Sequence, residues 1–458
     1  MKKESEKTLL FESMPVPKAV AKLALPTVIG SLVVILYSLA DTFFVGMLND
    51  TVQTGAVTLA APVLLAFNAV NNLFGVGSSS MMSRALGVKD LETVKKSSAF
   101  GFWCALAGGL LISLLCLCFF APLLDLLGAD NITRDATRNY MLWAVICGAV
   151  PSILNVVMSN LVRAEGGAMH AGIGMMSGCL LNILLDPFFI LPGFLNMGAA
   201  GAGLATLISN CCACLYYFVL LYARRGKTSV CIDPRYFTLE KRVVKGVCAV
   251  GVPAAIQNLL NVTGMTVLNN FAAADTAAVS AIGIAHKLTM IPMYIAMGTS
   301  QGVMPLVGYN YASGNGRRMK DAILFTAKIT GVFMLAMMVL YILLAGPMIG
   351  AFMQDAEVIR FGTGYIVGMS VAQPLLGMDF LAVGVFQACG MGRRSLLFAV
   401  LRKVVLEIPA LIVLNAIWPL TGLGWAQAFA EAVLAVAAVL MLKRIFDRTP
   451  DASAPVKM

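Results

Sequence analysis

Apolar residues run through this chain in twelve long blocks separated by short polar stretches. The blocks lie at 20–47, 55–83, 97–122, 137–161, 168–192, 198–223, 243–270, 278–309, 322–349, 359–388, 395–418 and 421–443. Most exceed the roughly 20 residues an α-helix needs to cross a bilayer. The longer ones have room to tilt, kink or project into solvent. Uncharged runs of this length predict helices, not the short alternating strands of a membrane barrel. The pattern therefore predicts an all-α membrane protein with twelve transmembrane helices.

Composition agrees. Of 458 residues, 59% are hydrophobic and only 12% charged, about half the charge of a soluble domain. Too little polar surface is available to cover a water-soluble globule. The net charge of +10 would suggest a nucleic-acid partner if it were clustered at random. It is sorted by loop parity instead. One side of the predicted membrane carries 26 Lys and Arg, including Lys2, Lys3, Arg84, Arg224, Arg225, Arg317, Arg393 and Lys443; the other carries Arg134, Arg138 and Arg360. The positive-inside rule places the richer side, with both termini, in the cytoplasm and requires an even number of crossings. The charge is a topology signal, so no nucleic acid is expected, and the lipid bilayer is the surrounding partner. The start, MKKESEKTLLFESMPVPKAV, lacks the pattern of a cleaved signal peptide. A short amphipathic stretch before the first crossing is expected on the inner surface. The eleven cysteines fall almost entirely inside crossings and lack zinc-site spacing, so they read as packing residues with no resident metal. Two histidines and no nucleophile motif argue against an enzyme.

The polar stretch 224–242, RRGKTSVCIDPRYFTLEKR, divides the chain. It separates an N-terminal lobe, 1–223, from a C-terminal lobe, 243–458, each with six crossings. The halves resemble one another: LALPTVIGSL at 23–32 matches VGVPAAIQNL at 250–259, aligning Pro26 with Pro253, and AVTLA at 56–60 matches AVSAI at 278–282. Six is even, so the two copies run in the same direction through the membrane, a parallel repeat of two pseudo-symmetric six-helix bundles. Such a design opens a cleft between bundles and works by rocking.

Charges at membrane depth cost about 2.5–3.5 kcal/mol on insertion scales, so the acids inside crossings mark function. Asp41 follows Tyr37 by four residues, and Asp186 follows Asn182 by four, so each pair shares one helical face. Asn155 and Thr206 are further polar residues at depth in the same half. Two carboxylates with amide and hydroxyl oxygens suit a shared proton or an oxygen cage for Na⁺; either is a cation-coupling site. In the second half, Asp379 has Gln257, Asn258 and Asn261 as polar companions and is a candidate for drawing a cationic substrate into the cleft. Glu407 stands within a turn of Arg402 and Lys403, which predicts a local ion pair. His286 reads as a packed imidazole.

Four stretches, LALPTVIGSLVVILYSLADTFFVG, NILLDPFFI, MPLVGYNYASGN and FQACGMGRR, carry a family resemblance. Together with the six-plus-six order, they make the chain resemble the multidrug and toxic compound extrusion (MATE) transporters over essentially its whole length. The resemblance implies secondary active efflux: an inward H⁺ or Na⁺ gradient drives export of mainly cationic, aromatic drugs by alternating access, with no cofactor. By position, Asp41 and Asp186 resemble the paired acids of the family's N-lobe cation site, and Asn182, Asn155, Tyr37 and Thr206 its accessory residues. Pro26 resembles the point where the first crossing bends in some members. Asp379 resembles an acid of another branch, whose seventh-crossing carboxylate this chain lacks. The expected setting is the inner (cell) membrane, and the expected working unit is a monomer. The alternative is a flippase for a lipid-linked precursor of the same broad architecture, which calls for a basic cleft.

Overall fold

The computed structural model describes residues 9–48, 50–272 and 275–449. They form twelve long helices. The first half contains α1 (Val16–Gly46), α2 (Thr51–Gly87), α3 (Leu91–Cys118), α4 (Arg134–Cys147 and Ala149–Ala164), α5 (Ala168–Ile190) and α6 (Ala199–Ala223). The second contains α7 (Lys241–Ala272), α8 (Thr276–Ala312), α9 (Gly316–Gly350), α10 (Ala356–Ala388), α11 (392–417) and α12 (Ala426–Arg448). Ten of these are long and apolar enough to span a bilayer as single helices, and α4 is an eleventh with a 45° bend. The remaining helix, α11, carries Arg393, Arg394, Arg402, Lys403 and Glu407, more charge than an ordinary span. Leucines 110, 111, 114, 115 and 117 on α3, and Leu340, Leu343 and Leu344 on α9, present bare side chains; a bilayer is the solvent that suits such faces.

The bend in α4 has a local cause. Pro151 cannot donate to the carbonyl four residues back, at Cys147. The helix widens into a π turn over Leu142–Cys147 and resumes after Gly148. Another π turn, Leu401–Glu407, precedes Pro409 in α11. Pro26 lies inside an unbroken α1, and Pro253 inside an unbroken α7.

The internal repeat is visible in backbone detail. In the first half, Lys89 takes a left-handed φ of 60° and Asp90 caps the N-terminus of α3 through Thr93. In the second, Gly314 takes φ 79° and Asn315 caps α9 through Arg318. The same loop is built twice, once with glycine at the strained position and once with lysine.

By contact the chain divides into two compact units that differ from the sequence partition at 223 and 242. One unit joins residues 1–28 to 256–458; the other is 29–255. Both cuts fall inside helices. The entry half of α7 packs within the second of these units: a Cβ on Gly77 would lie 2.5 Å from Val247 O, and one on Gly251 would lie 1.9 Å from Leu73 O. Within the first, a Cβ on Gly302 of α8 would lie 2.6 Å from Ala24 Cα of α1. Glycines thus let the entry halves of α1 and α7 reach a backbone-to-backbone approach with α8 and α2. Of the stretch expected to lie on the inner surface before α1, residues 1–8 lie outside the described residues, and 9–13 are packed into the protein. Residues 9–13 form a π turn with Leu10 and Phe11 buried, Phe11 stacks on Tyr309 at 4.8 Å, and Arg318 donates to the carbonyls of Leu10, Phe11 and Met14.

Candidate functional site

The polar residues of the first half converge within the unit 29–255. Asp186 sits on α5 with no exposed surface, and Asn182, one turn earlier, is 2% exposed. Neighbours orient the Asn182 amide: with its NH₂ toward Asp186 it donates to Oδ2 at 3.0 Å, while its carbonyl accepts from Thr206 N–H at 3.0 Å and Thr206 Oγ1–H at 3.3 Å. The opposite orientation would leave its oxygen facing only acceptors. Thr206 lies on α6, so one amide ties α5 to α6. The Tyr37 side chain of α1 also hydrogen-bonds Thr206. Asp41, one turn beyond Tyr37, stands close enough for its charge to act on Asp186, on Tyr37 and on Tyr140 of α4.

Asn155 of α4 extends the same network. Its Nδ2 donates to Asn210 Oδ1 at 2.9 Å, and Asn210 Nδ2 donates to Thr206 O at 2.9 Å. Hydrogen bonds therefore join Tyr37, Asn155, Asn182, Asp186 and Thr206 across α1, α4, α5 and α6, and Asp41 of α1 stands within electrostatic range of them. Tyr140 is a member that sequence reading missed. It lies in a polar stretch near the start of α4, where nothing in the pattern distinguishes it from an interfacial tyrosine. The donor set is two carboxylates, amide oxygens and hydroxyls. Those are hard oxygen ligands, suited to a proton or a small hard cation. Among the described residues no grouping of three or more His, Cys, Asp or Glu has a metal-binding arrangement.

The second half holds a different arrangement, within the unit that includes 256–458. Asp379 of α10 is buried, and its Oδ2 accepts from Arg402 Nη1 at 2.8 Å. Arg402 also donates from Nη2 to Asn261 Oδ1 at 3.1 Å, faces Glu431 Oε1 of α12 at 3.4 Å, and lies over the Phe380 ring. Lys403 pairs with Glu407 at 2.6 Å, the local pair expected from spacing, whereas Arg402 reaches across to α10, α7 and α12. Gln257 accepts weakly from Gln387 at 3.4 Å, and Asn258 is half-buried. Asp379 is therefore neutralised by a guanidinium. Glu431 was not anticipated, although an acid ten residues into an apolar block is itself the signal that singles out Asp186. His286 is half-buried.

Twelve membrane helices laid out as two copies of one six-helix plan, with buried acids in both copies, define a membrane-carrier architecture. The chain belongs to the MatE family: the family model matches residues 26–188 and 253–413, one match in each repeat, beginning at Pro26 and Pro253. Among curated proteins it is similar to the multidrug export protein MepA of Staphylococcus aureus (strain MRSA252), with 35% identity over 454 residues, covering 98% of this chain and 99% of the relative. It is also 32% identical to MepA of Staphylococcus saprophyticus over 97% of both chains. Among solved structures it resembles an outward-facing multidrug resistance MATE family transporter of the MOP superfamily, with TM-score 0.91, 26% identity and coverage of 98% of this chain and 99% of the other. A MATE structure in complex with MaL6 is similar at TM-score 0.91 and 25% identity, over 97% of this chain and 99% of that one.

Proposed function

We propose that this chain is a multidrug efflux carrier of the inner (cell) membrane, both termini cytoplasmic, in which H⁺ or Na⁺ entering through the first half drives export of mainly cationic, aromatic compounds. The observation that carries the reading is the gathering of Asp41 and Asp186 with Asn182, Thr206, Tyr37 and Asn155, of which Asp186, Asn182 and Asn155 are buried and the rest half-buried. The names of its relatives, multidrug export proteins, support the cargo class.

The mechanism follows from charge. Two carboxylates in low dielectric repel each other, and an added proton or Na⁺ relieves that repulsion. Facing outward, the cluster loads its ion. Loading draws the Asp41 stretch of α1 toward the Asn182–Thr206 bridge, with Pro26, which weakens the local helix ladder, as the point of bending. Drug affinity falls and the drug leaves. The ion-loaded carrier returns inward and discharges. Coupling requires that ion and drug differ in affinity for the two states. No covalent step is needed, so the reading is of a carrier and not an enzyme. A lipid-precursor flippase would call for a basic cleft; of the two cations that suit it, Lys287 and Arg402, the second is committed to a carboxylate, which favours the drug carrier.

The test is transport of a fluorescent cation by the purified chain in liposomes, with pH and Na⁺ gradients applied separately. Asp41→Asn and Asp186→Asn should each reduce gradient-driven uptake at least a hundredfold. The gradient that drives the wild type identifies the ion. Normal transport by both variants would place coupling elsewhere.

A further inference from the structure

Arg163 is a buried cation without an acid. It lies near the end of α4 on the basic, cytoplasmic-predicted side, 6% exposed. Its Nη1 donates to Asn160 Oδ1 at 3.0 Å and its Nη2 to Ser159 Oγ at 3.4 Å, both neutral groups, while Nε has no partner. Among the described residues no carboxylate lies within ion-pair distance of it. The neighbouring Glu165 is held by Thr228 Oγ1 and Ser229 N–H. The ionisable group that Arg163 senses is the Tyr217 hydroxyl of α6, which donates to Ala171 O at 2.8 Å. A buried charge with no counterion carries a desolvation cost that a merely structural position seldom needs.

Its position on α4 is informative. Asn155, Ser159 and Arg163 follow at intervals of four and form one face of the helix. The first belongs to the carboxylate cluster through Asn210 and Thr206; the second touches Arg163. A polar seam therefore runs from Asp186 through Asn182, Thr206, Asn210 and Asn155, then one helical turn to Ser159 and Arg163. Asn155 Oδ1, beside the one interruption, is buried and unpartnered, the kind of atom that takes a bridging water. Left open, such a seam would let the coupling ion slip to the cytoplasm without moving any drug.

We propose that Arg163 is an electrostatic plug: its uncompensated positive charge bars a small cation, H⁺ or Na⁺, from leaving the Asp186 cluster along the α4–α6 seam. Fixed arginines exclude cations from polar pores by this means. The inference rests on the reading of the cluster as a cation site, and its test is separable from that reading because it needs no drug.

The experiment is ion leak into liposomes holding the purified full chain, followed with an internal pH dye and with labelled Na⁺, the potential clamped and no substrate present. Arg163→Met should raise the leak of one ion at least tenfold; Arg163→Lys, which keeps the charge, should remain as tight as wild type. Asn160→Asp is the second variant. It is nearly isosteric and gives the guanidinium a carboxylate partner, so it should leak while leaving the fold intact. Adding Ser159→Val to Asn160→Asp should close the leak by breaking the seam. The dye and the labelled Na⁺ tell which ion passes. If Arg163→Met or Asn160→Asp, recovered as a folded monodisperse protein, is as tight as wild type, Arg163 is a structural anchor and the plug is wrong. If those variants are tight while Asp186→Asn abolishes drug transport, the plug alone falls. If they leak while Asp186→Asn transports normally, the barrier stands and the coupling assignment falls.

Discussion

Arg402 shows how one residue changes the meaning of its neighbours. Asp379 alone on α10 reads as an acid waiting for a cationic guest; beside Arg402, with Glu431 on the other flank, it is one pole of a buried ion triad. Removing one partner of a buried pair costs about 3–5 kcal/mol, because the stranded charge has lost both water and its counterion. Arg402→Met should therefore lower the melting temperature in detergent markedly. Arg402→Met combined with Asp379→Asn and Glu431→Gln should recover most of the loss, since it strands no charge. A single variant as stable as wild type would mean the triad is hydrated and weak. The first-half cluster obeys the opposite logic. Its acids have amides and hydroxyls for company, and among the described residues neither is paired with a Lys or Arg. That difference was half legible in advance. Asp41, Asp186 and their i−4 partners stand out because a charge in an apolar run is anomalous. The pairing of Asp379 with Arg402 depends on which faces of α10 and α11 meet, and no linear spacing encodes that.

Helices carried most of what could be read beforehand, and where they failed the cause is specific. The twelve apolar blocks correspond to twelve helices whose ends differ by a few residues, because capping residues such as Asp50, Asp90, Asp275 and Asp355 extend helices beyond the greasy run. The last helix begins at Ala426, after a 3₁₀ turn over Thr421–Trp425 that the apolar pattern had absorbed. The cuts between compact units were illegible for a different reason. They fall within α1 and α7, where the sequence is continuous and the signal is a glycine at the contact, on one helix or the other. Gly251 of α7 has Leu73 O where its Cβ would go, and backbone cannot yield as a side chain can. Gly251→Ala should cost about 1–3 kcal/mol by overpacking and loosen the entry half of α7. Gly331→Ala on α9, with open space around it, should instead be neutral or gain up to about 1 kcal/mol of helix propensity. Thermal unfolding of the two variants in one detergent measures the contrast; equal melting temperatures would deny the close approach.

At the scale of the whole molecule, orientation is the property on which directional export depends, and charge decides it. The loops that carry Arg84, Lys89, Lys95 and Lys96, then Arg224, Arg225 and Lys227, then Arg317, Arg318 and Lys320, lie at one parity; those around Ala129–Thr133 and Phe194–Met197 lie at the other, where Arg134, Arg138 and Arg360 are the few basic residues. By the positive-inside rule the basic loops are expected in the cytoplasm. Both repeats obey the same bias, so the two copies reinforce one orientation, as a parallel duplication requires. Asn131→Cys and Leu195→Cys, each in a cysteine-free background, should react with a membrane-impermeant maleimide applied to intact cells. Lys227→Cys and Lys320→Cys should react only after the membrane is opened. The reverse pattern would invert the carrier and with it the export direction, whereas a mixture within one repeat would break the six-plus-six plan itself.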